Sequence, residues 1–168
     1  MKNINKLSNK NAWDDFFYQS VRTFTESYAH SPNHEVTIFN FLYISLEYFR
    51  GTKNLKGTNF TRKHLLKNQV QKAFRASNLN ALIRMEEKAE KLIMASLEHN
   101  VYQPAYSKLK AEIIYKQAVV AQEKDYRDQA ISLIKKGITF LEDLTIEFPA
   151  YVQAEVLLSE FRKFQTAL

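Results

Sequence analysis

Turn-rich folds consume glycine and proline, and this chain of 168 residues holds only three of each. Sheets built from hairpins need a turn about every 8–12 residues, and most tight turns draw on Gly, Pro, Asn or Asp. Long helices joined by short connections need few such residues. The apolar residues agree with helices. Trp13, Phe17, Val21, Phe24 and Tyr28 recur at i, i+4, i+8, i+11 and i+15, one stripe of a helix. The run Val36 to Phe49 is apolar nearly all round, which reads as a buried central helix, with a strand as the alternative because β-branched and aromatic residues are frequent in it. Ser31-Pro32 ahead of it reads as a helix restart.

Further along, Gly51 to Asn59 reads as a polar loop, and a third helix is expected over about Thr61 to Ala76. Asn78 or Ser77 is placed to cap a fourth, and Asn100 to end it. Pro104 opens a fifth, a sixth follows from about Tyr126 to Phe148, and a seventh follows Pro149. The expected fold class is all-α, a bundle of about seven helices. Residues 1–10 are polar and aperiodic and read as a flexible terminus. Residues 11–168 read as one helical domain, with basic helices over 11–100 and repeat-like hairpins over 101–168.

Several function classes lose their sequence basis. The chain has no cysteine, which removes disulfides, thiolate metal sites and cysteine nucleophiles. No phosphate-binding loop, dinucleotide fingerprint, HExxH or GxSxG is present. The four histidines, His30, His34, His64 and His99, form no metal-ligand spacing. Asp14-Asp15 and Glu86-Glu87 with Glu90 are paired carboxylates, read as first-turn residues that answer helix dipoles rather than as acid/base catalysts. The expectation is a non-enzymatic protein without a cofactor or metal. No segment reads as a signal peptide or a membrane span, so a cytoplasmic location is expected.

Charge is unevenly distributed. Residues 1–85 carry 13 Lys and Arg against 5 Asp and Glu, whereas residues 86–168 carry 11 against 13. No acid occurs between Glu47 and Glu86. In this gap His64, Lys67, Asn68, Gln71, Lys72 and Arg75 fall on one face of the third helix, opposite Leu66, Val70 and Ala73. Cations interleaved with amides suit phosphate backbones or an acidic protein, and a merely solvated face has the same composition.

The tripeptide Pro-Ala-Tyr occurs twice, at Pro104-Ala105-Tyr106 and Pro149-Ala150-Tyr151, 45 residues apart. Each precedes small and aliphatic residues at helical spacing. Between them lie the turn Lys124-Asp125-Tyr126 and a helix marked by Ala130, Leu133, Gly137 and Leu141. With Ala130 and Ala154 at the crossing points, residues 104–168 resemble a tetratricopeptide-type helical repeat, although the family's period is 34 rather than 45. The resemblance implies stacked helical hairpins and a protein-binding scaffold, with Tyr106, Tyr115, Tyr126 and Tyr151 as groove anchors; generic helical packing is the alternative. The functional expectation is a protein–protein interaction module (an adaptor, regulator or assembly subunit) that binds a protein partner through a helical surface. The alternative is a nucleic-acid-binding protein that uses the basic helix face. So short a repeat array leaves homodimerisation open.

Overall fold

The structure, a computed structural model, describes the backbone of residues 2–28 and 34–168, and the side chains of residues 12–28, 34 and 36–168. Among the described residues seven helices follow in chain order: α1 (Lys2–Tyr28), α2 (Glu35–Gly51), α3 (Leu55–Arg75), α4 (Leu79–Glu98), α5 (Pro104–Glu123), α6 (Arg127–Glu147) and α7 (Val152–Ala167). Among the described residues there is no strand, so the class is all-α and residues 36–49 are helical. His30 and the Ser31-Pro32 restart lie outside the described residues.

The loop and first-turn expectations are corrected. The polar segment 51–59 is not a loop: only Thr52 to Asn54 separates α2 from α3, which begins at Leu55. Asn54 makes the early start stable. Its side-chain Oδ1 accepts the Gly57 amide at 2.8 Å, and its carbonyl accepts the Thr58 amide and hydroxyl. Thr58 and Thr61 hide their hydroxyls by back-bonding to carbonyls four residues earlier. Nor do the paired carboxylates sit in first turns. Asp14 lies inside α1 and accepts the Tyr48 hydroxyl of α2 at 2.7 Å. Glu86 and Glu90 lie inside α4 and tie it to later helices.

Four helices end by one device. Lys53, Ser77, Asn100 and Asp125 adopt φ of 59°, 45°, 54° and 59°. In each case the next residue's amide bonds back to a carbonyl five residues earlier: Asn54 to Phe49, Asn78 to Ala73, Val101 to Ser96 and Tyr126 to Ala121. These are left-handed closures of the kind glycine usually makes. Here none of the four residues is glycine.

The chain divides into two compact units, Met1–Leu65 and Leu66–Leu168, with the division inside α3. In the first unit, Tyr18, Val21, Leu42, Leu46, Phe49 and Phe60 form an aromatic-rich core. Gly57 lies directly beneath the Phe49 ring, where a Cβ would come within 2.5 Å of it. Contrary to the expectation of burial all round, α2 is covered on one side only. Leu42 and Phe49 are enclosed, whereas Val36, Tyr43 and Ile44 are 73%, 56% and 67% exposed.

In the second unit the end of α3 packs with α4, α4 with α5, α5 with α6, and α6 with α7. Leu66, Val70, Leu82, Leu109 and Ile113 form one cluster; Ala111, Ile114, Ala118, Leu141, Ala154 and Phe161 form the next. Small residues set the spacing. Ala111, Ala118, Ala130 and Ala154 are fully buried, and Gly137 admits the Phe161 ring so closely that a Cβ would fall 2.0 Å from it. A polar tie crosses three helices. The buried Gln117 side chain of α5 donates to Glu86 Oε2 of α4 at 2.8 Å, and Lys136 of α6 donates to Glu86 Oε1 at 2.7 Å.

Candidate functional site

Within the second unit, three helices line a groove of about 440 Å³, within the range of small-ligand pockets. The end of α3 supplies Lys67, Val70 and Gln71. From α5 come Lys108, Leu109, Glu112, Tyr115 and Lys116, and from α7 Gln153, Val156, Leu157 and Glu160. Each set recurs at three- and four-residue intervals, so one face of each helix is turned to the groove. Val70, Leu109 and Leu157 are buried residues at its base, while Val156 on α7 is 56% exposed.

Charge in the groove is mixed but ordered. Lys108 is occupied by Glu112, one turn on, at 2.5 Å. Among the described residues, Lys67 and Lys116 have no carboxylate at ion-pair distance. The Lys116 ammonium instead lies 4.0 Å from the centroid of the Phe74 ring. Its pKa is held below the usual lysine value, first by burial and further by the Lys67 charge, with Glu112 opposing both. Tyr115 rests its ring on Phe161 and Phe164, at centroid distances of 5.1 and 5.6 Å, and burial raises its hydroxyl pKa. This contact braces α5 against α7.

The residues of the sequence-derived basic face have different surroundings. Lys67 and Gln71 line the groove, Asn68 is half-buried, and Lys72 and Arg75 are exposed outside it. His64 belongs to the first unit, where its ring packs 4.4 Å from that of Phe60. The four tyrosines separate in the same way. Tyr106 is 1% exposed and packs with Leu92, Ile93 and Tyr102 as core. Tyr126 is exposed at the start of α6, away from the groove, and Tyr151 is half-buried at the start of α7. Of the four, Tyr115 alone lines the groove.

The two Pro-Ala-Tyr tripeptides also differ in structure. Pro104 is inside the first turn of α5, which leaves Tyr106 in the helix; Pro149 and Ala150 lie in the turn before α7, and Tyr151 is its cap residue. The groove residues that the sequence reading passed over are Lys108, Glu112 and Lys116 on α5 and Gln153, Val156 and Glu160 on α7. On α5 the signal was present as a charged stripe, Lys108, Glu112 and Lys116, at i, i+4 and i+8; Gln153, Val156 and Glu160 on α7 recur at i, i+3 and i+7 without a comparable pattern.

Among the described residues no group of three His, Asp or Glu is placed to hold a metal ion, and no helix is long and apolar enough to cross a membrane. Compared with known protein families, curated proteins and solved structures, the chain matches none.

Proposed function

We propose that the chain is a non-enzymatic interaction module that binds a partner protein through the groove formed by the end of α3, α5 and α7. The observation that carries this reading is the groove itself: a concave surface with an aliphatic base, exposed Val156 on one wall and amide and charged side chains around it. Peptide recognition uses this combination, apolar contact for affinity and polar groups for orientation. The tetratricopeptide-like hairpins expected for residues 104–168 would serve the same purpose.

A photo-crosslinking residue at Gln153, compared with one at exposed Lys135 on α6, tests the proposal in cell extract. A protein captured from position 153, not from 135, and lost with Val156→Asp supports it. Equal capture at both positions, or capture indifferent to Val156→Asp, counts against it. The competing reading, nucleic-acid binding along α3, has exposed Lys72 and Arg75 in its favour, whereas Glu112 and Glu160, which line the groove together with Lys67, disfavour a phosphate backbone in it.

A further inference from the structure

We propose that the groove takes a short extended segment of the partner protein in which acidic and aliphatic side chains alternate. Its carboxylates meet Lys67 and Lys116, and its aliphatic side chains meet Val156 and Leu157. The inference rests on the groove reading above and adds the chemistry of the occupant.

Charge complementarity is the first argument. The three groove lysines are not equivalent: Lys108 is neutralised by Glu112, but Lys67 and Lys116 stand near each other with no carboxylate at ion-pair distance among the described residues. Burial is the main effect working against the Lys116 charge; Lys67 adds a repulsion smaller than the attraction of Glu112, and the Phe74 ring face lies against the ammonium. An incoming carboxylate compensates the burial of Lys116 by pairing with it and screens the repulsion from Lys67. The second argument is the opposite wall. Val156 and Leu157 offer aliphatic surface, and the one aromatic residue that lines the groove, Tyr115, already packs its ring on Phe161 and Phe164 rather than standing as a platform for stacked bases.

Glu112 and Glu160 bear on the class of anion. A nucleic acid carries a charge at every phosphate and would meet both carboxylates, whereas a peptide places its charges where its sequence puts them. The placement of the walls bears on conformation, with Lys67 and Lys116 on α3 and α5 and Val156 and Leu157 on α7. An extended segment fits this placement, because its side chains point alternately to opposite sides. One set then faces the lysines of α3 and α5, the other faces α7. Gln71 and Gln153 can each donate to and accept from the backbone that runs between them.

Fluorescence anisotropy with labelled octapeptides of alternating Glu and Leu, Gln and Leu, or Lys and Leu provides the test. The Glu-Leu peptide is expected to bind about tenfold tighter than the Gln-Leu peptide, the scale of two partly exposed charge contacts, and the Lys-Leu peptide not at all. The Lys67→Gln/Lys116→Gln variant, checked for unchanged helicity by circular dichroism, should bind the Glu-Leu and Gln-Leu peptides alike. Equal affinity of the wild type for those two peptides overturns the inference, and so does failure of all three to bind. In both cases the crosslinking result from Gln153 judges the groove reading separately. Tighter binding of a labelled oligouridine than of any peptide, lost in the double lysine variant, overturns it in favour of nucleic acid.

Discussion

Lys53 and Asn100 hold the same left-handed backbone conformation at the ends of α2 and α4, but at different cost. For an ordinary L-residue this region costs about 1–2 kcal/mol, and Asn tolerates it better. Glycine removes the strain but adds about 0.5–1 kcal/mol of chain entropy to be lost on folding. Lys53→Gly is therefore expected to stabilise the protein by about 0.5–1 kcal/mol, and Asn100→Gly by less, as urea-denaturation midpoints would show. Gly137 presents the opposite case. A Cβ there meets the Phe161 ring at 2.0 Å, so Gly137→Ala should destabilise by about 1–3 kcal/mol, with part recovered when Phe161→Leu is added. The polar caps were legible from sequence, because Asn78 and Asn100 carry their preferences with them. Gly137 was legible only as a small residue on a stripe, since the ring that fills its space is 24 positions away.

Helix existence was readable from the periodicity of the chain, and helix environment was not. Val36 to Phe49 is apolar nearly all round, but how much of it is buried depends on how many neighbours arrive, and Tyr43 and Ile44 are left in solvent. The segment 51–59 looked like a loop by composition; Asn54 and the fit of Gly57 under Phe49 turn most of it into the first turns of α3. At the start of α4, the Asn78 side chain caps the helix by accepting the Ala81 amide at 3.0 Å, so Asn78→Ala should cost about 1 kcal/mol in thermal or urea unfolding. The start of α7 carries a pH signature. Burial, reinforced by Glu112 and Tyr102, pushes the Tyr151 hydroxyl from its ordinary 10.0 up to about 12. The folded state thus keeps a proton that the unfolded chain releases earlier, and its contribution is intact below pH 10 and lost between pH 10 and 12. Tyr102 and Tyr115, also raised chiefly by burial, act in the same direction. Denaturation midpoints should fall through this window, and Tyr151→Phe should make the fall shallower; an unchanged slope would mean that Tyr151 ionises as freely folded as unfolded.

For the whole molecule, the question is whether its positive charge is organised for a polyanion. Residues 1–85 hold 13 cations against 5 acids, and from sequence alone this excess seemed to converge on the third helix. Folding redistributes it. Lys67 and Gln71 turn to a groove that also contains Glu112 and Glu160, while Lys72 and Arg75 remain outside it. Sequence spacing assigns residues to a helix face but cannot say which later helix brings acids beside it, because that depends on the docking of α5 and α7. A protein that neutralises several phosphates shows steep salt dependence and retains measurable affinity near physiological salt. A protein with a positive net charge but dispersed cations binds only when screening is weak. Gel-shift titrations with duplex DNA and generic RNA are therefore expected to show binding at about 20 mM salt at most, and none at about 150 mM. The Lys67→Glu/Lys72→Glu/Arg75→Glu variant should weaken that low-salt binding only in proportion to the loss of net charge, no more than an equal charge change at Lys53, Lys56 and Arg62. Retention at the higher salt, abolished by the first triple variant and not by the second, would instead make α3 a nucleic-acid surface.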